Sequence, residues 1–198
     1  MALTKVLVTV KTYPAISGKY DELVCTAGFL EDGSWVRIYP IQFRKKSYDQ
    51  QYKKYDWIEL DLIKNESDFR PESYRPRSHD EEIKIIRHLG TENNWAERKK
   101  FVLGKVYFNL TELISEAHNK DICTSLAVFK PTKILDFAIQ EVDREWDRKK
   151  LAKLEAERLQ GNLFQQPENP FKVVRKLPYK FSYVFEDNQG KRSVLMIE

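Results

Sequence analysis

The sequence predicts an α+β protein built mainly from short antiparallel strands, folded into one or two small, partly open barrels with inserted helices. Short apolar runs recur between turn residues, as in KVLVTVK, LVCTAGFL and WVRIY, which is how short antiparallel strands read. Helical patterning is confined to a few inserted stretches, the clearest a highly charged surface helix near 143–160. Hydrophobic residues make up 41%, enough for a core, and 32% charged residues solvate its surface, so the chain is expected to be ordered. A β-rich N-terminal part over 1–90 and a mixed C-terminal part over 91–198 are expected.

In chain order, Lys5–Lys11 alternates as a first strand, and Pro14 and Gly18 break it. Leu23–Leu30 and Trp35–Tyr39 form a hairpin around Asp32-Gly33, a strong turn signal between apolar runs, and Pro40 ends it. Gln42–Tyr55 is polar, basic and rich in tyrosine, with room for a short helix. Tyr55–Lys64 alternates Trp57, Glu59 and Asp61 against Ile58, Leu60 and Leu62, the pattern of a half-exposed strand. A Pro- and Arg-rich loop follows over 68–78, then a strand, or alternatively a short helix, over 81–89. Helices are predicted over 91–101 and from Asn109 to His118, and strands over 122–129 and 134–139. Asp143–Gln160 reads as a surface helix with a thin apolar stripe including Trp146, stopped by Gly161. Asn162–Pro170 is the best linker, and Pro178–Phe185 with Ser193–Ile197 forms a terminal hairpin.

Thirty-four Lys and Arg against 30 Asp and Glu leave a formal charge of +4, too weak a field to imply a polyanionic partner by itself. Distribution matters more. Gly33–Tyr48 contains no acidic residue and sets Arg37, Arg44, Lys45 and Lys46 among Trp35, Tyr39 and Phe43. Asn169–Phe185 likewise sets Lys172, Arg175, Lys176 and Lys180 among five aromatic residues. Cations that follow phosphates and rings that stack on bases suit single-stranded nucleic acid. The alternative is that Tyr179, Phe181, Tyr183 and Phe185 line one strand face and belong to the core. Arg70, Arg75 and Arg77, each next to Pro71 or Pro76, either present rigid donors to phosphate or pair with Asp68 and Glu72.

A metal-dependent nuclease is the enzymatic alternative, with Asp68 or Asp61 upstream of Glu82-Ile83-Lys84: carboxylates for the metal, lysine to orient water. No P-loop, dinucleotide fingerprint, nucleophile elbow or zinc-ligand spacing is present, so no cofactor is expected. Cys25 and Cys123 sit on apolar stretches and are expected to be buried free thiols. No apolar run approaches the roughly 18 residues of a membrane span, and the N-terminal stretch alternates where a secretory signal would be continuously apolar. A cytoplasmic chain is expected.

The runs CTAGFLEDGSWVRIYPIQFR and KYDWIELDLIKNESDFRPESYRP resemble an uncharacterised family of bacterial proteins associated with mobile-element and defence gene neighbourhoods. Cys25, Gly28, Asp32-Gly33, Trp35, Arg37, Tyr39-Pro40, Phe43-Arg44 and Asp68 to Ser73 carry the resemblance, and SLAVFKP and KRSVLMIE extend it loosely. It implies a pair of OB-like barrels, which commonly bind single strands or oligosaccharides. The expected function is a nucleic-acid-binding accessory module of such a system, without catalysis of its own. A protein-interaction module, pairing through the charged helix or the terminal strand, is the remaining alternative.

Overall fold

The computed structural model describes residues 3–17, 21–78, 80–161 and 173–197. In its N-terminal half the strands are β1 (Leu3–Lys11), β2 (Ala15–Ser17), β3 (Asp21–Phe29), β4 (Trp35–Ile41), β5 (Asp56–Lys64), β6 (Ser73–Pro76) and β7 (Lys84–His88). β1 pairs antiparallel with β3 along one edge and with β5 along the other. β3 pairs antiparallel with β4, β4 runs parallel to β6, and β6 returns antiparallel to β5. The order β1-β3-β4-β6-β5 therefore closes on itself as a five-stranded barrel, with β2 and β7 added to β3 and β5. Closure satisfies the edges that the partly open barrel expected from the sequence would leave bare.

Alternation fills the inside. Val6, Val8, Val36, Ile38, Ile58 and Leu60 are buried together around Tyr52. The Tyr52 hydroxyl lies 2.5 Å from the Thr26 hydroxyl, and burial raises its phenol above the ordinary range, so it stays neutral. Gly28 lets β1 approach β3: a Cβ there would lie 1.9 Å from the Leu7 carbonyl oxygen. β5 departs from the expected half-exposed strand. Trp57 is buried as Ile58 and Leu60 are, because a second core of Leu7, Phe29, Trp57 and Leu89 covers the outer face, and Asp61 is buried where Arg77 bonds to it. Phe101 and Val102 of α1 (Glu92–Val102) close it from outside, with Phe101 edge-on to Trp57. The first residues of α1 depart from helical geometry, with positive φ at Asn93, Asn94 and Trp95.

Residues 42–55 form two short 3-10 turns, Phe43–Lys45 and Tyr48–Gln50, in place of one helix. β4 runs on through Pro40 to Ile41, whose buried side chain joins the inner core.

The C-terminal half contains β8 (Val106–Tyr107), α2 (Leu110–His118), β9 (Val128–Phe129), β10 (Lys133–Glu141), α3 (Arg148–Gly161), β11 (Tyr179–Glu186) and β12 (Arg192–Ile197). β10, β11 and β12 make an open antiparallel sheet, and β8 pairs with β9 in parallel. The strand expected over 122–129 shrinks to β9, since residues 122–127 cross the barrel surface without a strand partner among the described residues. Asn109 caps α2 by accepting from the Thr111 and Glu112 amides at 2.9 and 3.2 Å. Asp187, almost wholly buried, accepts from the amides of Gln189, Lys191 and Leu110, tying the terminal hairpin to α2. α3 starts at Arg148 rather than Asp143, where Asp147 accepts from the Lys149 and Lys150 amides. No helix among the described residues is long and apolar enough to cross a membrane.

Candidate functional site

Three of the six arginines expected to meet a ligand, Arg37, Arg70 and Arg77, donate to groups of the protein itself. Asp68 receives Arg70 through both oxygens, Nε at 2.8 Å and Nη2 at 2.5 Å, and accepts from the Ser73 hydroxyl as well. Arg70 holds the Asp68 carboxyl well below the usual carboxylate range. Arg77 forks onto Asp61 in the same way at 2.7 and 3.2 Å. This is the self-pairing alternative for the 68–78 loop, except that one partner comes from β5. Arg75 is exposed on β6.

Arg37 stands at the joint between the two halves. Its guanidinium donates to Ser125 Oγ at 3.1 Å, to the Ser125 carbonyl at 3.3 Å and to Cys25 Sγ at 3.6 Å. Ser125 Oγ in turn donates to Glu72. Trp35 is half-buried with its ring centroid 4.1 Å from that of Phe29. Phe43 meets Tyr52 edge-on at 5.0 Å and packs against the inner core. Neither ring lines the cleft between the barrel and the C-terminal sheet. Lys46 donates to the Glu81 carbonyl at 2.6 Å, and burial lowers its pKa; Arg44 and Lys45 are exposed on the first 3-10 turn.

What the structure does bring together is a cleft of about 750 Å³ between the barrel and the C-terminal sheet. Five rings line it: Tyr13 beyond β1, Tyr39 on β4, Trp146 before α3, and Tyr179 and Phe181 on β11. Two are fixed in place by hydrogen bonds. The Tyr13 hydroxyl donates to the Arg175 carbonyl at 2.9 Å, and the Trp146 indole donates to the Val174 carbonyl at 2.7 Å. Three lysines join them, Lys11, Lys176 and Lys180, and no Asp or Glu stands among the described lining residues. Lys11 Nζ sits 4.1 Å from the Phe43 ring centroid and donates to the Tyr52 carbonyl. Burial, then the neighbouring charge of Lys54, lowers its pKa. Lys176 also donates to a carbonyl, that of Glu145, so neither spends its charge on a carboxylate in these bonds.

Of the sequence-predicted residues, Tyr39, Lys176 and Lys180 reach this cleft. Arg175 borders the smaller hollow behind Trp146. Lys172 lies outside the described residues. Lys11, Tyr13 and Trp146 escaped the sequence reading: KTY at the end of β1 is basic and aromatic but too short to stand out, and Trp146 looked like helix packing. The aromatic face of β11 is divided. Phe185 is core against Phe129, Tyr183 is exposed, and Tyr179 and Phe181 are half-buried at the cleft.

For the nuclease alternative, Asp68 is engaged by Arg70 and Ser73, while Glu82 and Lys84 are exposed at the start of β7. Among the described residues, no group of three or more His, Cys, Asp or Glu is placed to hold a metal ion. Cys25 and Cys123 are free thiols, part-buried rather than buried.

No curated protein and no solved structure matches the chain. Residues 109–198 match a domain of unknown function, DUF8757. Residues 2–104, just over half the length and including the whole barrel, match another, and by that match the chain belongs to the family described as domain of unknown function DUF8758.

Proposed function

We propose that this protein binds a short stretch of single-stranded nucleic acid in the cleft between the barrel and the C-terminal sheet. The observation that carries the proposal is the meeting of rings and ammonium groups from separate segments on one surface with no carboxylate among its described lining residues. The rings, two of them held by carbonyl acceptors, offer flat faces for bases, and the lysines offer cations for phosphates. A cleft of this volume is in the range of small-ligand sites, enough for a few nucleotides at a time.

The barrel supports the same reading. Its first strand closes on its fourth, its third runs parallel to its fifth, and we read it as OB-like. OB-folds present ligands with the face of their second and third strands and the neighbouring loops. Here those strands are β3 and β4, and the cleft takes Leu23 and Cys25 from one, Tyr39 from the other, and residues 12–16 from the first loop. With the resemblance noted in the sequence, we place the activity in a cytoplasmic accessory protein of a bacterial mobile-element or defence system, without catalysis of its own.

The test is a titration of a labelled single-stranded oligonucleotide at low salt. Tyr39→Ala and Tyr179→Ala are each expected to weaken binding by about 1–3 kcal/mol, the stacking contribution of one base. A protein that ignores the oligonucleotide, or binds it equally well with both rings removed, is not using this cleft.

A further inference from the structure

We infer that the chain associates with a second copy of itself through the edge of β12. The strand is an edge of its sheet, pairing among the described residues with β11 alone. Edge strands in isolated proteins are ordinarily guarded by charge, proline or a bulge. From Ser193 to Ile197 this one has no charge and no proline, and its pairing with β11 runs without a register shift.

Its side chains are apolar on both faces and exposed on both. Val194 and Met196 stand 59% and 52% exposed on one side, Leu195 and Ile197 45% and 39% on the other. Apolar residues on both faces are the pattern of an interior strand. The face carrying Leu195 continues across β11 to β10, where Tyr183 and Phe137 follow in register. Tyr183, Phe137 and Ile139 of that face are all substantially exposed.

The occupant is a second copy because the edge complements itself. Antiparallel pairing about a two-fold axis at Leu195 sets that residue against its mate and Val194 opposite Met196, so one patch serves both partners. It joins two open sheets into one and removes the bare edge from each. The patch supplies the apolar centre such an interface needs: Leu195, Ile197, Tyr183, Phe137 and Ile139 are each at least 39% exposed. Met196 and Ile197 also line the cleft, so pairing sets the two clefts on either side of a shared strand pair.

Sedimentation of the full chain without nucleic acid tests this. The wild type is expected at dimer mass, with Leu195→Lys raising the dissociation constant about thirtyfold or more, as loss of a central anchor does. Ile134→Lys, on β10, controls for the general effect of a new surface charge. Leu195→Cys is expected to cross-link to itself on oxidation, which reads the register directly and does not depend on Leu195→Lys folding. A wild type that sediments as a monomer at all concentrations overturns the inference. So does a dimer that Leu195→Lys leaves intact, or one that only Ile134→Lys dissolves.

Discussion

Replacing Lys180 by glutamine is expected to flatten the salt dependence of oligonucleotide binding by an amount the cleft itself sets. Three ammonium groups line it, Lys11, Lys176 and Lys180. Each phosphate they neutralise on a single strand adds about −0.7 to the slope of log affinity against log salt, so the wild type should show a slope near −2. Between roughly 50 and 200 mM salt that is a loss of about twentyfold in affinity. With Lys180→Gln the slope becomes about −1.4 and the loss about sevenfold. Fluorescence anisotropy of a labelled oligonucleotide across a salt series measures both. Lys133→Gln is the control: Lys133 pairs with Glu186 at the end of the sheet away from Tyr179, so its loss should leave the slope unchanged. A Lys180→Gln slope equal to the wild type, or a Lys133→Gln slope just as shallow, would show that the affinity does not come from this cleft.

Three further outcomes follow from single contacts. Gly28→Ala drives a methyl group to within 1.9 Å of the Leu7 carbonyl and is expected to cost about 3 kcal/mol or more, read as a fall in the thermal midpoint. Asp68→Asn removes the forked Arg70 contact and is expected to cost about 1–3 kcal/mol in urea unfolding at neutral pH. Because Arg70 depresses the Asp68 pKa, that contribution is present above the ordinary carboxylate range and lost as pH falls through the depressed value, so the variant and the wild type should converge only in strong acid. Lys11 has the opposite sense: a lowered lysine pKa costs the folded protein stability while the group is charged, and the cost is relieved as pH rises through the lowered value. A bound phosphate favours the charged form, so affinity should fall as alkaline pH deprotonates Lys11, and Lys11→Gln should remove that part of the pH profile.

Local chemistry was legible in the sequence and long-range pairing was not. The Asp32-Gly33 turn announced the β3–β4 hairpin, and Asp32 accepts from the Ser34 amide and hydroxyl while Gly33 takes φ +82°. Closure of the barrel rests on β1 pairing with β5, where Val6 meets Ile58, and no local pattern encodes a partner so distant. The same closure explains β5: its alternation implied one wet face, but α1 and Leu89 cover the outside, which no period-two count can foresee. Arg70 and its Asp68 partner were visible as neighbours, whereas the Asp61 that holds Arg77 lies on another strand. The cleft was the least legible of all, because each segment gives it only a few side chains and none is unusual alone.

The cations divide by shape, and the division bears on what the cleft can recognise. Arg37, Arg70, Arg77 and Arg98 all aim planar forks at protein oxygens, the last donating twice to the Leu89 carbonyl. A guanidinium is suited to that work, since its donors lie in one fixed plane and little freedom is lost per bond formed. The cleft is lined by lysines instead, point charges on flexible stems that follow an anion without fixing its orientation. A site that read particular bases would be expected to present forked donors to their edges, as arginine does to guanine. With lysines for phosphates and rings for stacking, selectivity on the proposed reading is for an unpaired strand over a duplex, because only unpaired bases expose their faces to Tyr39 and Tyr179, and preference among base sequences is weak.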